Sequence, residues 1–266
     1  MTSIDNAKCI LITGATSGIG RALALALVKL PNRPQIVAAG RRKERLEELS
    51  KVEGISTIQL ELSGDPNALK QTAQDLIRRF PELDAIVLNA GVQYEFDFKK
   101  PESIDTNVPA SAILKEINTN YTSNVIFITH ILPHFLKLSE QERPSFIITV
   151  SSGLGIVPFR PPVANYSATK AALHSFSLSL RAQLVGTNVN VVDIVPPLLT
   201  LLQVQGKTEQ LSKHWMPLDQ FISTVLDGLR KGAHNIPVGD AKTDYEKFEK
   251  GKEDRVAHAA LEAVKN

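Results

Sequence analysis

Residues 8–30 constrain the fold more than any other stretch of the chain. Residues 8–13 read Lys-Cys-Ile-Leu-Ile-Thr, a short apolar run rich in β-branched side chains, the pattern of a parallel strand buried on both faces. Glycines follow at positions 14, 18 and 20, and Leu23, Leu27 and Leu30 then recur at helical spacing. Strand, glycine turn and helix in that order form a unit whose turn suits an anionic ligand. Glycine permits positive φ, its missing Cβ lets a pyrophosphate approach the backbone, and the helix N-terminus offers free N–H groups. Gly14, Thr16, Ser17, Gly18, Ile19 and Gly20 are the predicted cradle. A tight strand-to-helix turn without ligand is the plain alternative.

The next strand, predicted over 35–39, ends where dinucleotide folds read the ribose, about 20 residues past the glycine turn. Gly40 stands there, followed by Arg41 and Arg42. An acidic residue would hold the 2′-hydroxyl of NAD, whereas a guanidinium pairs in bidentate fashion with a 2′-phosphate. The predicted cofactor is therefore NADP, with NADPH preferred over NADH. The competing reading makes both arginines the first charged residues of a helix over 42–51.

With 266 residues and no glycine- or proline-rich linker, the chain is expected to form one α/β domain over 1–266. A formal net charge of +2 gives no reason to expect nucleic acid or an anionic membrane as a partner. The single cysteine, Cys9, excludes an internal disulfide and fits a reducing compartment. No apolar stretch approaches the length of a membrane span, and neither end reads as a targeting signal, so the cytoplasm is the expected location. The six histidines show no metal-ligand spacing, and no metal is expected.

Strand and helix patterns alternate: a strand over 56–60, a helix over 66–79, a strand over 84–88, mostly helix over 110–138, and a strand over 145–150. A helix over 164–185 and a strand over 189–195 follow. Such alternation predicts a doubly wound, Rossmann-type parallel sheet with helices on both faces and its site at the carboxyl ends of the strands. Asn89-Ala90-Gly91, Ser151-Ser152 and Pro196-Pro197 all fall at those ends.

Five motifs in order then identify a family. Thr13 to Gly20 (TGxxxGIG), Leu88-Asn89-Ala90-Gly91, Asn120, Ser152, and Tyr166-Ser-Ala-Thr-Lys170 (YxxxK) resemble the short-chain dehydrogenase/reductase pattern over nearly the whole chain. The resemblance implies catalytic Asn120, Ser152, Tyr166 and Lys170. It adds Glu61, Leu62, Asn89, Ala90, Gly91, Pro196 and Thr200 to the cofactor contacts. It also implies that Asn120 holds a water against Lys170; Asn118 is the competing candidate. The chemistry is independently readable. Hydride addition to a carbonyl makes an alkoxide, which needs a proton donor and an oxyanion stabiliser within hydrogen-bond reach. Tyr166 and Lys170 share one helix face, so the ammonium is expected to lower the phenol pKa, while Ser152 supplies a second hydrogen bond.

Departures from the pattern sit in four places. The loop 153–165 carries one residue more than is usual, and after the sixth strand Pro197 replaces a glycine and Thr200 comes one residue early. Glu61, followed by Leu62, stands for the usual Asp, and the common C-terminal Asp-Gly-Gly is missing, with Ile236-Pro237-Val238-Gly239 followed by a charged tail. Tyr94, Phe96, Leu154, Ile156, Val157, Phe159, Leu198, Leu199, Leu201, Leu202 and Trp215 predict an apolar cleft and hence a hydrophobic ketone or aldehyde. Arg160 and His214 are the candidates for a polar substrate group. The leading reading is an NADPH-dependent oxidoreductase acting on a carbonyl/alcohol pair. A lyase or isomerase that keeps its cofactor bound, and a non-catalytic NADP sensor, stay open, although retention of Tyr166 and Lys170 argues against the sensor. The family's habit implies a homodimer or homotetramer, with Leu173, Phe176 and Leu180 on the helix that would pair. The charged segments over 245–250 and 257–264 read as solvated surface or as a subunit contact.

Overall fold

A computed structural model describes residues 2–62, 65–104, 109–199 and 215–263. Its strands are β1 (Cys9–Thr13), β2 (Gln35–Gly40), β3 (Ile55–Gln59), β4 (Leu83–Leu88), β5 (Ser145–Val150), β6 (Val189–Val195) and β7 (Asn235–Pro237). They form one parallel sheet in the order β3-β2-β1-β4-β5-β6-β7. The order reverses between β1 and β4, which opens a crevice at their carboxyl ends, where ligands bind in such sheets.

Helices α1 (Gly18–Leu27), α2 (Lys43–Ser50), α3 (Pro66–Arg79), α4 (Ser111–Ile117), α5 (Ser123–Glu140), α6 (Ala164–Gln183), α7 (Leu218–Arg230), α8 (Asp240–Phe248) and α9 (Lys252–Ala263) surround it. Side-chain alternation along the strands builds two cores. Ile10, Ile12, Ile36, Val87, Ile148 and Ile194 face one way, against Leu23 and Leu27 of α1 and Phe221 and Val225 of α7. Leu11, Val37, Ile86, Leu88, Ile147 and Val191 face the other, against Leu76 of α3, Phe127 and Phe135 of α5, and Leu180 of α6.

Most predicted elements stand within two or three residues of their observed bounds. The predicted helix over 110–138 is instead α4 and α5 joined by a π-turn over Asn118–Thr122, where the Ser123 N–H reaches back to the Asn118 carbonyl. π-turns inside helices concentrate at functional positions, because the extra residue re-aims a side chain. Here Asn120 turns into the interior. β7 and α7 had no counterpart in the sequence reading. On the helix expected to pair with a second subunit, Leu173 and Leu180 are buried within this chain, and Phe176 packs partly buried against the second core. Among the described residues no helix is long and apolar enough to cross a membrane.

Candidate active site

The turn after β1 has the conformation that the glycine pattern calls for. Gly14 and Gly18 sit at φ 65° and 57°, and a Cβ on Gly20 would lie 2.5 Å from the Gly14 carbonyl oxygen and 2.4 Å from Asn89 Nδ2. Asn89 secures this approach by donating from Nδ2 to the Thr13 carbonyl oxygen at 3.0 Å, while the Asn89 and Ala90 N–H groups donate to Thr13 Oγ1. Ser17 caps α1 without a side-chain cap bond, so the first-turn N–H groups keep their donors for a ligand.

Both arginines lie at the edge of this turn in different roles. Arg42 is anchored: its Nε and Nη2 donate to Thr16 Oγ1 at 3.1 and 2.9 Å, and Nη2 donates to Ser17 Oγ at 2.5 Å. Arg41 pairs with Glu61 at 3.2 Å, with both side chains more than half exposed. An exposed pair of this kind is worth about 0–1 kcal/mol, so a bound phosphate would outcompete it.

A single cleft of about 650 Å³ runs from here across the switch point. At one end it is lined by Gly14, Thr16, Ser17, Ile19, Arg41 and Arg42, with Glu61 and Leu62 beside them and Asn89, Ala90 and Gly91 beneath. At the other end stand Ser152, Tyr166, Lys170 and Pro196. The glycine cradle, the free helix N-terminus and the guanidinium pair fit a dinucleotide pyrophosphate and a 2′-phosphate. Thr200 lies outside the described residues, as do Leu201, Leu202 and His214. Of the predicted apolar lining, Leu154, Leu198 and Leu199 face the cleft. Phe96 and Trp215 are buried in the protein body, and Phe159 is exposed. Arg160 is paired with Glu95 at 3.1 Å. The lengthened loop after β5 folds into two short 3-10 turns and is held to the segment after β4 by the Phe96 N–H, which donates to the Pro162 carbonyl oxygen.

Lys170 is buried, donates from Nζ to the Val150 carbonyl oxygen at 2.7 Å and stands 5.6 Å over the Tyr166 ring centre. Burial lowers its pKa to about 8, against the opposing pull of Asp193 and Glu116. The expectation that Lys170 lowers the phenol pKa is not met. Desolvation pushes Tyr166 up to about 12, the Ser152 hydroxyl offsets part of that by hydrogen bonding, and the Glu116 carboxylate adds to it. Asn120 is fully buried. Its Oδ1 accepts from the Val92 N–H, and its Nδ2 donates to the Val92 carbonyl oxygen and to Thr169 Oγ1. Both Asn120 and Lys170 lie near Gly91, where a Cβ would come 3.3 Å from Asn120 Oδ1 and 3.7 Å from Lys170 Nζ.

Two buried carboxylates at the site went unread in the sequence. Glu116 accepts from the Tyr94 N–H at 2.9 Å and from Asn165 Nδ2 at 2.6 Å, so it joins the segment after β4 to the residue preceding Tyr166. Asp193 lies fully buried in β6. A lone acid inside Val-Val-Asp-Ile-Val was the available signal, since a carboxylate in a buried strand must be paired. Glu116, in a mixed helix, carried no comparable mark. Among the described residues no cluster of side chains is placed to hold a metal ion.

Comparison with known proteins matches this geometry. Residues 8–211 fit the family model for short chain dehydrogenases. The chain is 35% identical over 234 residues to the uncharacterized oxidoreductase DltE of Bacillus subtilis, covering 85% of this chain and 86% of that one. It is 33% identical over 206 residues to a serine 3-dehydrogenase of Rhizobium radiobacter, covering 75% and 77%. A solved serine dehydrogenase in its closed form with NADP+ superposes with a TM-score of 0.68 at 27% identity, covering 82% of this chain and 87% of that one.

Proposed function

Because the chain belongs to the short-chain dehydrogenase family, we propose that it is an NADPH-dependent oxidoreductase interconverting a hydrophobic ketone or aldehyde and its alcohol. The observation that carries this reading is the one cleft that joins the glycine turn and Arg42 to Ser152, Tyr166 and Lys170. When bound there, the nicotinamide supplies the hydride or accepts it.

The chain's own residues supply the rest. Ser152 and Tyr166 donate hydrogen bonds to the carbonyl oxygen and stabilise the charge that develops on it. Tyr166 then gives its proton to the alkoxide. A phenol held near pKa 12 is fully protonated at neutral pH and still far more acidic than an alcohol, so reduction starts with the proton in place. Lys170, fixed on the Val150 carbonyl, holds its ammonium 5.6 Å over the phenol ring and within the same cleft, placed for the hydroxyls of the nicotinamide ribose. Leu154, Leu198 and Leu199 exclude water and favour an apolar substrate. Relatives named for serine and for 3-hydroxy acids suggest polar alternatives, but Arg160 is already paired with Glu95.

The test is NADPH oxidation by purified protein across aliphatic and aromatic ketones, aldehydes and β-keto acids. Apolar ketones are expected to give the highest kcat/KM; turnover of the keto acids alone would overturn the substrate class. Assembly as a homodimer or homotetramer in the cytoplasm belongs to the same proposal, and a monomer in light scattering at micromolar concentration would remove the assembly part.

A further inference from the structure

Three consecutive residues leave the carboxyl end of β5, and each meets a different buried group. The Val150 carbonyl accepts from Lys170 Nζ at 2.7 Å. Ser151 Oγ donates to Asp193 Oδ2 at 2.7 Å. The Ser152 hydroxyl is hydrogen-bonded to Tyr166. Asp193 is the centre of a larger set: its Oδ1 accepts from Thr149 Oγ1 at 2.8 Å, and its Oδ2 also faces His174 Nδ1 at 2.7 Å. His174 Nε2 in turn faces Glu249 Oε2 at 3.4 Å, just past α8, and the Tyr245 ring stands edge-on to the imidazole. α8 also closes over the chain after Ser152, since a Cβ on Gly153 would lie 2.9 Å from Ala241 Cβ.

We propose that Asp193, backed by His174 and Glu249, is a positioning residue of the active site. From β6 it fixes Ser151, and so the placement of Ser152, and it supplies negative charge that supports the Lys170 ammonium. This rests on the oxidoreductase reading for its effect on turnover, while its effect on Lys170 does not. A buried carboxylate with no such duty would cost stability unless fully paired. Asp193 is paired, and its partners are Thr149 of β5, the neighbour of one catalytic residue and a histidine on the helix of two others. The groups facing Lys170 are Tyr166 on its own helix, Glu116 from α4 and Asp193 from β6. Those facing His174 are Asp193, Glu249 and Tyr245, while Arg181 lies within electrostatic reach of Asp193 and pairs with Glu253 at 3.0 Å. Asp193 therefore bears on both the Ser152 side and the Lys170 side of the catalytic end.

The decisive experiment compares wild type, Asp193→Asn and Ser151→Ala. In protein labelled at the lysine Cε, NMR titration of Lys170 is expected to move down by about half a pH unit or more in Asp193→Asn and to stay in place in Ser151→Ala. In steady-state NADPH-dependent ketone reduction, both variants are expected to lose about tenfold or more in kcat, and in Asp193→Asn the alkaline limb shifts to lower pH with the titration. An unmoved Lys170 titration in folded Asp193→Asn, or wild-type kcat in Ser151→Ala, overturns the proposal. If Asp193→Asn does not fold, His174→Gln replaces it. That variant leaves the Asp193 charge uncompensated and is expected to move the Lys170 titration upward; no movement counts against the proposal. If wild type reduces no carbonyl, the proposed activity fails, while the Lys170 titration still decides whether Asp193 supports the ammonium.

Discussion

Gly40 lies directly beneath Thr16: a Cβ at position 40 would fall 2.5 Å from Thr16 Cγ2. The glycine that frees the second strand from an acidic residue is thus also the one that lets Thr16 receive Arg42. Cofactor choice follows. A guanidinium on a 2′-phosphate contributes about 1.5–3 kcal/mol, or roughly 10- to 150-fold for NADPH over NADH in kcat/KM. Arg42→Ala is expected to erase most of that ratio and Arg41→Ala less, since Thr16 and Ser17 already hold the Arg42 guanidinium at the turn while Arg41 is exposed and must be ordered. Gly40→Asp alone should weaken both cofactors by displacing Thr16. Adding Thr16→Ser removes the obstructing methyl, keeps the hydroxyl and should turn the preference toward NADH. Kinetics with both cofactors check this; an unchanged ratio in Arg42→Ala would make the arginines helix surface.

Tyr166→Phe keeps the ring that Lys170 overlies and removes the proton donor. Turnover is expected to fall by about 10²–10⁴, with NADPH affinity near wild type. Lys170→Ala should damage both, because it strips the ammonium from the phenol and leaves the Val150 carbonyl without its donor. Rapid kinetics and a binding isotherm separate the two effects. Near-native turnover in Tyr166→Phe would sink the assignment of the proton donor.

His174 carries a pH signature in stability. Burial lowers its pKa, but Asp193 and Glu249 together outweigh burial and hold it above 6.5. A histidine whose folded pKa is raised contributes stability that is fully present below its unfolded value and is lost as pH rises through the folded one. The melting-temperature gap between wild type and His174→Gln is therefore expected to be widest below pH 6.5 and to narrow as pH rises above it through the raised folded value. A gap constant across that range would show that the imidazole acts by packing alone.

Residues that work locally were legible and those that work through tertiary pairing were not. The glycine turn, β1 and YxxxK each combine a local backbone demand with a short spacing, so Gly14, Gly20, Tyr166 and Lys170 stand where the pattern put them. Leu173 and Leu180 show the opposite case: an apolar helical stripe fixes that a face is covered but not by what, and the sheet of this same chain covers it. The segment over 245–250 was read as solvated surface or a subunit contact, yet its Glu249 meets His174, and Glu253, between the two segments so read, pairs with Arg181 and His234. Those partners lie 19 to 75 positions away in sequence, beyond any periodicity. β7 is three residues long and carries a proline, too short to announce itself.

Glu116 adds to the desolvation that raises the pH at which Tyr166 would serve as a base in alcohol oxidation. Its carboxylate, with a pKa raised by burial, lies fully enclosed between the Tyr94 N–H and Asn165 Nδ2 and pushes the phenol pKa upward. Glu116→Gln keeps one acceptor for Tyr94 and, with an Asn165 amide flip, restores the second hydrogen bond while removing the charge. Tyr166 then ionises more readily, so the rising limb of the oxidation profile is expected to move to lower pH by about half a unit or more. Lys170 also loses a supporting carboxylate, so the alkaline end should fall in the same direction and the whole profile shift toward acid. Oxidation of a secondary alcohol with NADP+ from pH 6 to about 12 reads both limbs. A uniform loss of rate with both limbs in place would make Glu116 a mere brace between Tyr94 and Asn165, and the electrostatic reading of this carboxylate would fall.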